Sequence, residues 1–72
     1  MEPAEQVAAN LRRLRKERGL TLEALASASG LKYSDIAKIE TQGREPRVGT
    51  IVKLARGLGV SVAELFAGID VG

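Results

Sequence analysis

The stretch LTLEALASASGLKYSDIAKIE, residues 20–40, constrains the fold more than any other part of the chain. It holds two short segments with apolar residues at helical spacing, separated by Gly30. Leu22, Leu25 and Ala26 give the first segment one apolar face. Thr21 stands where its hydroxyl can accept from an orphan N–H at the helix start, and Glu23 in the first turn favours the same end. The helix must stop near Ser29, because Gly30 breaks it. The second segment spans residues 33–41 with Ile36 and Ile39 inward, and its start is uncapped, since Lys32 holds the position where a serine or threonine would serve. Two short helices joined by a few residues around a glycine describe a helix-turn-helix.

Every other segment is helical too. In residues 5–18, Val7, Leu11 and Leu14 form one stripe, closed by Gly19. Residues 42–46 are a loop, because Pro46 holds Glu45 extended. Val48, Ile51, Leu54, Ala55 and Leu58 mark a fourth helix over 48–58, weakened in its first turn by Gly49 and ended by Gly59. Ser61 and Glu64 have the spacing of a capping box, and Leu65 and Phe66 close a short fifth helix. The expectation is an all-α, five-helix domain over residues 5–67, with the helix-turn-helix at about 21–41 and a frayed tail at 68–72. Its core is predicted from Leu11, Leu14, Leu25, Ala26, Ile36, Ile39, Leu54, Ala55, Leu58, Leu65 and Phe66.

Composition narrows the chemistry. A chain of 72 residues can bury about 60% of its unfolded surface, enough for one small core. With neither cysteine nor histidine there is no disulfide, no thiolate or imidazole metal site and no ordinary neutral-pH base. Asp35 and Glu40 do not face one another, and no glycine-rich phosphate loop is present, so an enzyme is not expected and no cofactor or metal is implied. No apolar run nears the ~18 residues of a membrane span, and MEPAEQVAAN is too acidic and polar for a signal peptide. The absence of cysteine fits a cytoplasmic location.

The net charge of +2 says little about partners, but its distribution says more. RRLRKER, residues 12–18, carries five basic residues, and Arg44, Arg47, Lys53 and Arg56 follow later. Such a run is often a solvated face, and Arg12, Arg13, Lys16 and Arg18 wrap around a helix so that they cannot share one surface. Successive helical steps of about 100° place Ser34, Ala37, Lys38 and Thr41 farthest from Ile36 and Ile39, with Tyr33 and Asp35 on the flanks. That small, polar outward face suits a major groove of about 12 Å, which admits one helix.

In order and in register, GLTLEALA (19–26), GLKYSDIAKIE (30–40), Pro46, LARGLGV (54–60) and LF (65–66) resemble the Cro/C1-type, or Xre, helix-turn-helix family, over residues 7–67. The resemblance implies a lambda-repressor-like fold and a small regulator, a repressor, that reads double-stranded DNA. It assigns base contacts to Tyr33, Ser34, Asp35 and Lys38. Phosphate contacts are expected from Thr21 at a helix start, from Lys32, Arg44, Arg47 and Arg15, and from the start of the fourth helix near Val48. It also pairs Arg15 with Glu40, an ion pair bridging the first helix to the end of the third. Three departures stand out: the family's glutamine at the start of helix two is Leu22, its serine or threonine cap of helix three is Lys32, and the glycine two residues after the glutamate is Gln42, with glycine displaced to Gly43.

A protein-interaction role, as in an antitoxin component, is the alternative reading. Reading a palindromic site takes two copies about one helical turn apart. A homodimer is therefore expected through the spare apolar residues of helix five and the tail, Val62, Leu65, Ile69 and Val71.

Overall fold

A computed structural model describes residues 2–71, leaving Met1 and Gly72, the last residue of the expected tail, outside the description. The five expected helices form: α1 (Pro3–Glu17), α2 (Leu22–Ser29), α3 (Tyr33–Gln42), α4 (Val48–Leu58) and α5 (Val62–Leu65). Among the described residues none lies in a strand, and no helix is long and apolar enough to cross a membrane.

Two boundaries differ from those read off the sequence, each for a local reason. α1 starts two residues before Glu5, at Pro3, whose fixed φ and missing N–H suit a first helical position. α3 runs one residue past Thr41, to Gln42, because the glycine able to take a left-handed cap is Gly43, at φ 65°.

Helices α2 and α3 meet as the sequence predicts. Thr21 Oγ1 accepts from the Ala24 N–H at 3.0 Å. Gly30 turns left-handed at φ 73°, and the N–H groups of Gly30 and Leu31 both donate to the Ala26 carbonyl, at 2.9 and 3.2 Å. Leu31, just beyond the cap, tucks partly against the core, a contact that often accompanies this kind of helix end.

The core gathers Val7, Leu11, Leu14, Leu25, Ile36, Ile39, Ile51, Leu54, Ala55, Leu58 and Leu65, so every helix contributes to it. Of the residues expected there, Ala26 is only partly buried and Phe66 is 43% exposed. The reason for Phe66 is that α5 ends at Leu65, which takes the inward position and is fully buried. Phe66, the C-cap, is turned a further helical step toward solvent.

Two packing features were not legible beforehand. Asn10, 4% exposed, donates its side-chain amide to the Leu65 and Ala67 carbonyls at 2.9 and 2.8 Å, while its Oδ1 accepts from Gln6 at 3.1 Å. A four-residue helix cannot satisfy its own last carbonyls, and Asn10 does so from α1. At Gly57, a Cβ would stand 3.0 Å from the Ser29 backbone, so glycine there lets α4 lie against the end of α2. At the other end of α5 the Ser61–Glu64 capping box forms, with the Glu64 carboxylate accepting from the Ser61 N–H at 2.9 Å. The tail is tied down farther than expected: Ile69 packs partly against the core and its N–H donates to the Phe66 carbonyl at 3.2 Å, whereas Val71 is exposed.

Candidate nucleic-acid interface

α3 presents most of the face anticipated from its periodicity, with the correction that Ala37, expected among the outermost residues, is half-buried. Ile36 and Ile39 are buried beneath it, and Tyr33, Ser34, Lys38 and Thr41 are exposed. Asp35 and Ala37 are half-buried at its margins. Among the described residues, no hydrogen bond or ion pair engages the side chains of Ser34 and Lys38, so both are available to a partner. Thr41 is not: its hydroxyl donates to the Ala37 carbonyl at 2.6 Å, one turn back along the helix.

The helix is held in place by the ion pair read from the sequence. Arg15 Nε donates to Glu40 Oε2 at 2.7 Å and Arg15 Nη2 to Glu40 Oε1 at 2.9 Å, a two-pronged pairing of guanidinium and carboxylate. The third prong, Nη1, donates to the Leu20 carbonyl at 2.8 Å, just ahead of the helix-turn-helix. The side chains are 12% and 3% exposed, so α1, the entry to α2 and the end of α3 are joined by one nearly enclosed charge pair. The hydrogen bond to Glu40 raises the Arg15 pKa above its ordinary value, against the opposing effect of burial, and the nearby Glu40 and Tyr33 act in the same direction. This placement sets the phosphate contact anticipated for Arg15 against its enclosure, because three of its donor bonds point into the protein.

Cations surround the α3 face at its two ends. Thr21 and Lys32 are exposed at the N-caps of α2 and α3, and the α3 start carries no side-chain cap, as the sequence indicated. Thr21 uses only its oxygen as the cap, so its O–H remains free to donate. Beyond α3, Arg44 and Arg47 are exposed on the loop, and Arg47 is the N-cap of α4, a helix with no side-chain cap and no acid in its first turn. The exposed N–H groups of such a helix start favour an anion. Arg44 Nη1 also lies 3.9 Å from Asp35 Oδ1, a pairing that the sequence did not disclose.

The remaining basic residues of α1 divide as their helical positions require. Arg13 pairs with Glu17 at 3.4 Å and Arg18 lies 3.9 Å from the same carboxylate, on a solvated surface. Leu22, in the place of the family's glutamine, is partly buried against the core and braces α2 by packing. The surface anticipated for self-association differs from the sequence reading. Leu65 is fully buried and unavailable, Ile69 is partly buried, and Val62, Val71 and the neighbouring Phe66 are exposed. Val48 and Val52 of α4, 81% and 38% exposed, extend the same apolar groove beside Val62, Phe66 and Ile69.

Comparisons with known proteins agree with this geometry. A helix-turn-helix family model matches residues 11–65. The chain is 39% identical over 70 residues to an uncharacterized HTH-type transcriptional regulator, y4dJ, of Sinorhizobium fredii, covering 97% of this chain and 91% of that protein. The crystal structure of the restriction-modification controller protein C.AhdI from Aeromonas hydrophila superposes with a TM-score of 0.83 at 36% identity, over 88% of this chain and 96% of that one. A variant of the controller protein C.Esp1396I, bound to its operator site, superposes with a TM-score of 0.82 at 30% identity, over 88% and 83% of the two chains. The chain is a five-helix, non-enzymatic member of the Cro/C1-type, or Xre, helix-turn-helix family.

Proposed function

We propose that this protein is a small transcriptional repressor that binds duplex DNA sequence-specifically as a homodimer, with α3 in the major groove. The observation that carries the reading is the α3 face itself: unengaged Ser34 and Lys38 project from a helix pinned from behind by Arg15 and Glu40, with basic residues at both ends. A bound operator is the ligand of the C.Esp1396I variant, which supports the same ligand class here.

Lys38 donates to guanine O6 or N7, Ser34 serves several edges, Asp35 accepts from cytosine N4, and Tyr33 packs on a thymine methyl or reaches a phosphate. Thr21, Lys32, Arg44, Arg47 and the start of α4 hold the backbone. Arg15 is assigned mainly to positioning α3. The second copy packs on the groove of Val48, Val52, Val62 and Phe66, which gives the two recognition helices a fixed spacing.

Selection from a random duplex pool followed by footprinting tests the reading. The expected result is a two-fold symmetric footprint and an affinity that falls steeply with salt, since each neutralised phosphate releases counterions. Replacing Arg47 should weaken all duplexes about equally. Replacing Lys38 should relax preference at one base-pair position, by about 1–3 kcal/mol where it contacts guanine. No complex at low salt, or a complex indifferent to Lys38, would turn the assignment toward a protein-binding module of the antitoxin kind.

A further inference from the structure

Asp35 is the one acid that α3 carries in its first turn, on a face that it shares with Ser34 and Lys38, and the exposed Glu45 of the following loop is the other acid lining the same depression. A carboxylate at a helix start is favoured by the helix dipole, and that alone could account for it. Its partner makes the position more informative. The left-handed turn at Gly43 sends the chain back along α3, with the Arg44 N–H 3.4 Å from the Lys38 carbonyl. The Arg44 side chain thereby reaches the first turn of the same helix, where Nη1 stands 3.9 Å from Asp35 Oδ1. Lys38, one turn along α3 from Asp35, is left unpaired.

The pair is loose and wet, with side chains 46% and 59% exposed, so each partner can be exchanged for another at small cost. Both line a depression together with Leu31, Ile39, Glu45, Pro46, Arg47 and Thr50. Arg44 therefore has the Asp35 carboxylate of its own chain within reach, and on the duplex-DNA reading a phosphate of the ligand would be a second, competing anion. An ionised carboxylate can only accept, so on a DNA-facing helix it gains a partner only where a base edge offers a donor, as cytosine N4 does. Opposite any other edge its best partner remains Arg44.

We propose that Asp35 is a specificity-determining residue that restrains Arg44 from the DNA backbone until its carboxylate meets a donor on a base edge. The inference rests on the duplex-DNA reading of the α3 face and adds to it a coupling between base recognition and phosphate anchoring. On mixed-sequence DNA the restraint holds and one phosphate contact is weakened. On the correct site Asp35 turns to the base, Arg44 is released, and both contacts form together. Asp35 thus lowers affinity for the wrong sequence more than it raises affinity for the right one.

The experiment measures wild-type protein, Asp35→Ala, Arg44→Gln and the double variant against a selected duplex and a scrambled duplex over a range of salt. Neither position belongs to the core, and far-UV circular dichroism verifies that each variant is folded. Asp35→Ala is expected to bind the scrambled duplex up to about fivefold tighter, the scale of an exposed ion pair. Its log–log salt dependence on that duplex should steepen by about 0.9, the increment for one further phosphate contact. The ratio of selected to scrambled affinity should fall, and the gain on scrambled DNA should vanish in the Arg44→Gln background. An unchanged affinity for scrambled DNA, or an equal gain with and without Arg44, would overturn the proposal while leaving DNA binding intact. Failure of the wild-type protein to bind either duplex at low salt would instead remove the DNA reading, and this inference with it.

Discussion

The Arg15–Glu40 pair offers a sharp test of how this small domain holds its third helix. Glu40→Leu would strand the guanidinium of Arg15, a side chain only 12% exposed in the intact pair, with the Leu20 carbonyl as its remaining partner. Arg15→Met would leave the carboxylate of Glu40, a side chain only 3% exposed in the intact pair, with no cation beside it, and the Leu20 carbonyl short of a donor. Stranding either charge in so enclosed a place costs about 3–5 kcal/mol. For a chain of 72 residues the whole stability is roughly 4–11 kcal/mol, so either single change consumes a large part of it. The double variant strands no charge. It lacks only a donor for the Leu20 carbonyl, a loss of about 1–3 kcal/mol. The sum of the singles, about 6–10 kcal/mol, should therefore exceed the double by about 3 kcal/mol or more. Urea unfolding followed by far-UV circular dichroism suits a chain without tryptophan, with an osmolyte added so that the single variants begin folded. Because the pair is enclosed, raising salt should change the coupling little, unlike a surface pair. Additivity within about 0.5 kcal/mol would mean that the pair contributes no enclosed charge coupling, and the account of how α3 is held would fail.

Further outcomes follow from the packing. Ile39→Ala should cost about 2–5 kcal/mol in chemical unfolding, because Ile39 is 3% exposed beneath the recognition face. The two glycines of α4 should respond oppositely in thermal melts. Gly57→Ala should destabilise by about 1–3 kcal/mol, its Cβ meeting the Ser29 backbone at 3.0 Å. Gly49→Ala, with nothing within 4 Å, should stabilise by up to about 1 kcal/mol. Asn10→Ala leaves the Leu65 and Ala67 carbonyls without their donor, so hydrogen exchange should accelerate in α5 before it does in α2 or α3. On the homodimer proposed above, Phe66→Asp should shift sedimentation toward the monomer while the secondary structure persists, since Phe66 is 43% exposed and lies outside the core.

Much of the architecture is decided by local rules that the amino-acid order states directly. Helices stop at Gly30, Gly43 and Gly59 because these residues take positive φ freely, and the capping box at Ser61 and Glu64 depends on residues only three apart. The outward position of Ser34 and Lys38 follows from the same economy: once Ile36 and Ile39 are inward, helical geometry sets the rest. The Arg15–Glu40 pair was legible through its resemblance to a family pattern, since periodicity says nothing about partners 25 residues apart. Tertiary structure alone decided the features that depend on where one helix ends against another. Asn10 is in phase with Val7 and Leu14, yet only the arrival of the α5 carbonyls makes a buried amide there favourable. Leu65 and Phe66 are equally apolar, and which of them turns inward is set by how α5 seats on α1 and α4. Arg44 meets Asp35 because the turn at Gly43 folds the loop back along α3. Helical periodicity fixes which side of a helix a residue occupies, but its partner depends on the distance and angle between helices, which the packing of the whole core sets.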